Sequence, residues 1–252
     1  MGISINSDIG EGYPHDLELF TFIDYANIAC GGHAGDEDSI KETILNSMKF
    51  NVSAGAHPSY PDRMNFGRVS LLGEANYSYS TLLNSLYAQL SIYNQISRSL
   101  GINTFHIKPH GALYNDAVKN SEAANLLLES FQKLSQEAGY PLKSFPIIVQ
   151  PNSILSRLVI EAGGLVIPEG FVDRRYNNDG TLTPRSQQGS VIELQEDITR
   201  QVLGFAKYGS IITSENKPLP VRVSTICIHS DTDTAPVIAS LTRSIIGKRR
   251  ND

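Results

Sequence analysis

Carboxylates, imidazoles and a lysine recur in this sequence at one kind of position, where a short apolar run ends in a polar, glycine-bearing motif. Asp8 follows the first such run, His33 and His57 follow the next two, and Lys108 and His110 follow a fourth. These side chains serve as general acids and bases, as metal ligands and as stabilisers of an oxyanion. Ionised groups buried without partners are costly, so a convergent set is better explained by function than by stability.

Alternation along each run indicates which side chains share a face, because residues i, i+2 and i+4 of a strand point the same way. His106, Lys108 and His110 share one face, opposite Phe105 and Ile107. We therefore expect the basic groups to point into the interior of a sheet or barrel. The same reasoning predicts an interior ring at the strand ends, formed by Asp8, His33, His57, Lys108, His110, Glu169, His229 and Asp231.

Several of these residues also have a purely structural interpretation. A single histidine is most often a hydrogen-bonded structural residue, and we interpret His106 in this way. Asp231 could cap the last helix, and Glu11 is interpreted as a charge on the turn beyond Asp8. The two cysteines, Cys30 and Cys227, are interpreted as small buried thiols.

A divalent metal is one use for the ring. One carboxylate with two or three histidines on adjacent strands suffices for a catalytic ion that keeps an open position for water. Asp8, His33 and His57 are the candidate ligands. The sequence has no local HxxxH or HExxH signature, so this set depends on the strands converging in space.

The sequence pattern predicts that repeated βα units position these groups. Apolar runs rich in β-branched residues predict seven strands near residues 2–7, 25–30, 52–57, 104–109, 145–150, 164–168 and 223–229. Helical periodicity predicts helices at 36–50, 79–100, 121–138, 153–162, 193–208 and 234–246, with only a short one between 16 and 24. With 252 residues, we predict an α/β fold: a single seven-stranded, TIM-like (β/α) barrel domain over residues 1–252.

Three irregular segments interrupt this pattern, at 58–76, 170–190 and 209–221. The first two follow strand ends and carry Arg68, Asp173, Arg174 and Arg185, so we expect them to cover a substrate. The third precedes a strand and is expected to be a surface excursion.

Composition argues against several classes of function. A formal charge of −5 and a pI near 5.7 give no electrostatic footprint for nucleic acid or an anionic membrane. The sequence has no secretory leader and no apolar stretch long enough to span a bilayer, which favours a cytoplasmic protein. It also lacks a GxxxxGK[ST] phosphate loop, a GxSxG elbow and a GxGxxG motif, so ATP binding by this chain alone is not expected.

The ordered motifs closely resemble the LamB/YcsF family of 5-oxoprolinase A subunits over nearly the whole chain. They lie at residues 6–11, 26–36, 55–58, 62–68, 108–115, 169–176, 180–185 and 227–231. The resemblance implies a barrel of the glycoside hydrolase/deacetylase type. It also implies ATP-dependent opening of 5-oxo-L-proline to L-glutamate together with partner subunits B and C, with ATP used through the complex.

On this hypothesis, water attacks the ring carbonyl with Asp8 or a nearby histidine as general base, and Lys108, His110 or a metal stabilises the oxyanion. Arg68 or Arg174 holds the substrate carboxylate, since a guanidinium matches it bidentately. The expected catalytic residues are Asp8, Lys108, His110, Glu169, His229 and Asp231. The expected substrate-binding residues are Asn27, Arg68, Asp173 and Arg174.

Two other functions remain open at this point. One is a metal-dependent deacetylase or amidohydrolase acting on an acylated sugar, suggested by the barrel type and the Asp/His/His set. The other is a non-catalytic scaffold that binds the lactam and presents it to a partner.

Overall fold

A computed structural model describes residues 2–249 of the chain. Its strands are β1 (Ser4–Ile9), β2 (Tyr25–Ala29), β3 (Ser53–His57), β4 (Ile147–Val149), β5 (Val166–Phe171), β6 (Ser210–Ile212), β7 (Pro218–Pro220) and β8 (Thr225–Ile228). Six of them form one curled parallel sheet in the order β3-β2-β1-β8-β5-β4. Their carboxyl ends therefore meet at one edge, as the α/β prediction requires.

The prediction of seven strands is not confirmed. The segment predicted at 104–109 makes only isolated parallel bridges, from Ile107 to Ala56 of β3 and to Ile147 of β4. Toward β3 the segment keeps regular hydrogen bonds, from Lys108 N to Ala56 O and from His110 N to Pro58 O, both at 2.9 Å, whereas toward β4 the pattern stops because Pro109 has no N–H to donate. The segment nevertheless lies between the two edge strands and positions Lys108. The glycoside hydrolase/deacetylase type stays a prediction.

The segment predicted as a surface excursion contains a strand pair. β6 and β7 are antiparallel, with Ser210 opposite Pro220. The pairing was not apparent from the sequence because two prolines in a three-residue strand argue against one. This pair is separate from the six-stranded sheet.

The α-helices are α1 (Asp16–Leu19), α2 (Glu37–Lys49), α3 (Tyr79–Ser99), α4 (Gly111–Lys119), α5 (Ser121–Ala138), α6 (Ile154–Glu161), α7 (Gln195–Leu203) and α8 (Ala235–Ile246). The predicted stretches are confirmed within a few residues, and residues 204–208 continue α7 as a π-helical turn. Asp36 caps α2 by accepting from Ser39 N, and Gly139 ends α5 in the left-handed region. α4 was not predicted.

The apolar core lies along the sheet and under the helices. Ile5, Ile28, Ile107, Ile147 and Ile226 are all fully buried. Within the described residues, no helix combines the length and the apolar character needed to cross a membrane.

Candidate active site

A buried lysine ties together the ends of several strands. Lys108 Nζ lies 2.9 Å from Asp8 Oδ1 and 3.0 Å from Glu169 Oε1, and it also contacts Asn6 Oδ1 at 3.2 Å and Cys227 Sγ at 3.1 Å. The lysine side chain is 2% exposed. These contacts place Asp8, Lys108 and Glu169 on one interior surface, as the strand alternation predicts.

The charges fix the protonation states of this group. Burial alone would raise the pKa of Asp8, but the charges of His57 and Lys108 hold that pKa well below its ordinary value. Burial would lower the pKa of Lys108, yet Asp8, Cys227 and Glu169 raise it well above the usual range. Asp8 is therefore a carboxylate and Lys108 an ammonium across the neutral pH range.

Glu11 is a part of the interior cluster that the sequence interpretation missed. Its side chain is only 4% exposed, and Oε1 lies 2.9 Å from His33 Nε2 and 3.3 Å from His110 Nδ1. Burial and the neighbouring Asp8 raise its pKa well above the ordinary value. The interpretation of Glu11 as a turn charge is therefore wrong: it lies on the turn, but its side chain is buried among histidines.

Glycine geometry explains this placement. Gly10 and Gly12 on either side of Glu11 have φ values of 77° and 87°, a region that side chains other than glycine rarely enter. These two positive φ angles fold the turn so that Glu11 is directed back toward His57, which Asp8 also contacts. The Gly-Glu-Gly spacing is the sequence signal that could have identified it.

The three predicted interior histidines surround this carboxylate. His57 Nε2 lies 3.0 Å from His110 Nδ1, 3.3 Å from Asp8 Oδ2 and 3.7 Å from Glu11 Oε1. Burial lowers the pKa of His33 to about 2 and that of His110 well below its ordinary value, so both rings are neutral.

The structure groups potential metal donors differently from the predicted set Asp8, His33 and His57. Donor atoms of Glu11, His33, His57 and His110 all lie within 4.8 Å of one another. Asp8 instead falls in a second group with Cys227 and His229.

A histidine–carboxylate pair forms the opposite part of the site. His229 Nδ1 donates to Asp173 Oδ2 at 2.6 Å, and the imidazole stacks on Phe171 with ring centres 5.4 Å apart. Burial alone would raise the pKa of Asp173, but its pairing and hydrogen bond with His229 keep that pKa below its ordinary value. Within the described residues, this hydrogen bond leaves Nε2 as the nitrogen of the ring without a hydrogen-bond partner.

A cavity of about 710 Å³ opens between these groups, within the size range of small-molecule sites. Its charged and hydrogen-bonding wall includes Asp8, Arg68, Lys108, His110, Tyr114, Arg174, Arg185 and His229. Arg174 is buried, and its Nη2 donates to Thr183 O at 2.7 Å. Its Nε has no hydrogen-bond partner among the described residues.

Arg68 and Asp231 contact each other across the mouth of this cavity. Arg68 Nη2 and Arg185 Nη1 lie 2.7 and 3.1 Å from Asp231 Oδ2. The alternative role of Asp231 as a helix cap is not observed, because α8 begins after Thr234 and has no side-chain cap. The carboxylate instead holds two guanidinium groups at the rim, where Arg185 joins the predicted Arg68.

Other predicted site residues lie behind the cavity wall. Asn27 is fully buried, donates to Asn6 Oδ1 and Asp8 Oδ1, and accepts from His106 Nε2. It therefore supports Asp8 from below and is separated from the cavity, as is Glu169. Asp173 likewise reaches the cavity only through His229. His106 is the hydrogen-bonded structural histidine that the sequence predicted.

Both cysteines are buried and free, as expected. Burial raises the pKa of Cys30 to about 12, so its thiol is neutral. Cys227 lies against the Lys108 ammonium and does not line the cavity.

Sequence comparison with known proteins identifies similar chains. The family model for the LamB/YcsF family matches residues 3–251. The 5-oxoprolinase A subunit of Pyrococcus abyssi is 37% identical over 98% of this chain and 94% of its own length. That of Pyrococcus furiosus is 36% identical, over 96% of this chain and 93% of its own length.

A solved structure resembles the whole fold. The lactam utilization protein from Thermus thermophilus superimposes with a TM-score of 0.83 at 30% sequence identity, covering 97% of this chain and 95% of that one.

Proposed function

The chain belongs to the LamB/YcsF family, and from this membership and the geometry of the charged cavity we propose that it is the ring-opening component of an ATP-dependent 5-oxoprolinase. In this role it binds 5-oxo-L-proline and releases L-glutamate while partner subunits B and C use ATP. The observation that carries the proposal is the Asp173–His229 pair, which faces a cavity lined by Arg174.

The arginine matches the carboxylate that every 5-oxoproline molecule carries. Arg174 is buried, its Nε forms no hydrogen bond within the part of the chain that the structure describes, and its Nη2 donates to Thr183 O. A guanidinium presents parallel N–H groups to a carboxylate, which fixes the ligand's orientation as well as its charge. Arg174 is therefore the proposed anchor of the substrate carboxylate, with Arg185 beside it in the wall.

His229 is the proposed general base. Because its Nδ1–H is held by Asp173, its Nε2 lone pair is available to take a proton from water. The water oxygen bonds to the lactam carbonyl carbon, and collapse of the resulting oxyanion breaks the ring C–N bond. The proton held by His229 then passes to the leaving nitrogen, which becomes the amino group of glutamate. The Asp173 carboxylate stabilises the imidazolium between these steps.

Lys108 is proposed to act through the electrostatic field of its ammonium group. Its Nζ has four protein neighbours, so its protons are directed at protein acceptors. It lines the cavity as a fixed cation that favours negative charge developing on the carbonyl oxygen, and it keeps Asp8 ionised.

In this proposal the partner subunits bind and use ATP. An amide resists attack by water, and this sequence has no phosphate loop, so activation of the carbonyl is assigned to the subunits that bind nucleotide. This division of labour accounts for a hydrolytic site in a chain that has no nucleotide motif of its own.

The test is glutamate release from 5-oxoproline by the purified chain, with and without ATP and the partner subunits. We expect turnover only in the complete mixture. Turnover by this chain alone without ATP, or none in the complete mixture, would overturn the assignment.

The imidazole and carboxylate cluster around Glu11 favours one second candidate, a metal-dependent deacetylase or amidohydrolase for acylated sugars. Cleavage of N-acetylated sugars by the metal-loaded chain without ATP, abolished by Asp8→Asn, would support it over lactam opening. A lactam-binding scaffold would instead retain full activity of the complex after Asp8→Ala and Lys108→Ala.

A further inference from the structure

We propose that Glu11, His57 and His110 form a binding site for one divalent transition-metal cation, behind the cavity wall at the end of β1. The site goes beyond the proposed lactam chemistry, in which Arg174 and His229 act without a metal. It also differs from the ligand set that the sequence suggested, since it replaces Asp8 and His33 with Glu11 and His110.

The distances between the donor atoms are those of ligands around one ion. His57 Nε2 and His110 Nδ1 are 3.0 Å apart, and Glu11 Oε1 lies 3.3 Å from His110 Nδ1 and 3.7 Å from His57 Nε2. With metal–ligand bonds of about 2.1 Å, neighbouring ligands are separated by about 3.0–3.4 Å. Two of the three separations fall within this range, and the third, 3.7 Å between Glu11 Oε1 and His57 Nε2, exceeds it by about 0.3 Å, so one ion fits without large movement.

Backbone carbonyls set the proton positions on both rings. His57 Nδ1 lies 2.7 Å from Lys108 O, and His110 Nε2 lies 3.0 Å from Phe66 O. A carbonyl oxygen only accepts, so each ring carries a proton on that side. His57 Nε2 and His110 Nδ1 are then the ring nitrogens that face each other and Glu11. Three donor atoms this close need a cation among them, a proton or a metal ion, because their lone pairs otherwise repel.

The loop that fixes His110 has a strained backbone. Phe66, whose carbonyl accepts from His110, has a φ of 55°, which is uncommon for an aromatic residue. The next residue, Gly67, has a φ of 63°, and a Cβ there would lie 3.1 Å from both the ring of His110 and the Cβ of His33. This loop therefore follows a conformation that brings a carbonyl to the far side of His110.

His33 supports the site without joining it. Its ring stacks on that of His110 with centres 3.6 Å apart and planes 1° from parallel. An ion in the plane of one ring lies outside the plane of the other, so both cannot bind it along their lone pairs. His33 Nε2 instead forms a hydrogen bond with Glu11 Oε1 at 2.9 Å and orients that carboxyl group.

Asp8 is the nearest additional donor. Its Oδ1 is occupied by Asn27 and Lys108, while Oδ2 is directed at His57 Nε2 at 3.3 Å. Two imidazoles and one carboxylate with positions left for water or Asp8 suit Zn²⁺, Co²⁺, Mn²⁺ or Fe²⁺.

The test uses the metal alone, so that its outcome is independent of lactam turnover. The full chain is stripped with a chelator and titrated with ZnCl₂ by calorimetry and with CoCl₂ by visible absorption. We expect one ion per chain and a cobalt spectrum typical of nitrogen and oxygen ligands. Glu11→Gln, His57→Gln and His110→Gln should each weaken binding at least about 100-fold, and His33→Gln about 10-fold.

His15→Gln is the matched control, because His15 is a partly exposed histidine outside the cluster. It should bind metal like the unaltered chain. Thermal melting with and without Zn²⁺ is a second measurement that remains informative for variants that fold poorly. The metal should raise the melting temperature of the unaltered chain and of His15→Gln, and leave that of Glu11→Gln unchanged. No binding by the unaltered chain, or binding unaffected by Glu11→Gln and His110→Gln, would overturn the proposal.

Discussion

Asp8 lies near the end of β1 and Glu11 on the turn that follows, and the pKa values of these two carboxyl groups are displaced in opposite directions. The positive charges of His57 and Lys108 lower the pKa of Asp8, whereas burial and the charge of Asp8 raise that of Glu11. Opposite displacement of two neighbouring carboxyl groups is typical of sites that perform acid–base chemistry or bind cations. Three residues of sequence separation thus produce two chemically distinct groups.

Lys108→Met should strongly destabilise the protein. The substitution leaves the carboxylates of Asp8 and Glu169 buried without their cation, at a cost of about 3–5 kcal/mol in the free energy of unfolding. Urea denaturation at neutral pH measures this change.

The matched control is Lys119→Met. Lys119 also pairs with a carboxylate, at 2.6 Å from Asp179, but its side chain is 62% exposed. Its loss should cost about 0–1 kcal/mol. A Lys108 variant as stable as the Lys119 variant would contradict the described charge network.

His106→Gln should reduce the loss of stability in acid. Burial lowers the pKa of His106 to about 3, from about 6.5 in an unfolded chain. Between these two pKa values the unfolded state binds a proton that the folded state does not bind. The free energy of unfolding therefore falls as pH falls, by about 1.4 kcal/mol per pH unit.

Glutamine removes this titration and can still donate to Asn27 Oδ1, the partner of His106 Nε2. The comparison is the free energy of unfolding at about pH 7.5 and about pH 5.0 for both proteins. The variant should lose about 2 kcal/mol less over this interval. Equal losses would mean that His106 is not held neutral in the folded state.

Arg174→Lys should weaken substrate binding more than it slows chemistry. An ammonium cannot reproduce the two parallel N–H groups of the guanidinium, so we expect KM for 5-oxoproline to rise about 10–100-fold, with a smaller change in kcat. Steady-state kinetics of the reconstituted complex separate the two constants.

Arg157→Lys provides the control, since Arg157 lies on α6 with a 64% exposed side chain. It should leave KM unchanged. A normal KM for Arg174→Lys would remove Arg174 as the carboxylate anchor.

Much of the fold follows from local sequence rules. The helices predicted at 36–50, 79–100 and 153–162 are observed within a few residues, and Asp36, Ser78 and Ser153 cap their first turns. The helix α4 was missed because it begins within the motif at residues 108–111, at Gly111, whose φ is 56°. The strand near Ile107 was overestimated because apolar alternation does not report the pairing that Pro109 interrupts.

The candidate site was predictable where strand alternation applies and unpredictable where turns decide. Alternation correctly directed Asp8, Lys108 and His106 inward. It could not indicate that Glu11 turns back over the strand end, because that depends on the φ angles of its flanking glycines. Strand alternation also does not report how far an inward side chain lies from the cavity. Asn27 was therefore expected at the substrate, but it lies beneath Asp8.

The central claim is that this chain supplies the groups that open the lactam, and one variant tests it most directly. In the reconstituted complex, His229→Asn is introduced into this chain only, and glutamate release and ATP hydrolysis are measured separately. Loss of the base should lower glutamate release about 10²–10⁴-fold, as should Asp173→Asn, while Asp179→Asn at an exposed ion pair leaves it unchanged. Glutamate release by the His229→Asn complex at the rate of the unaltered complex would contradict the account.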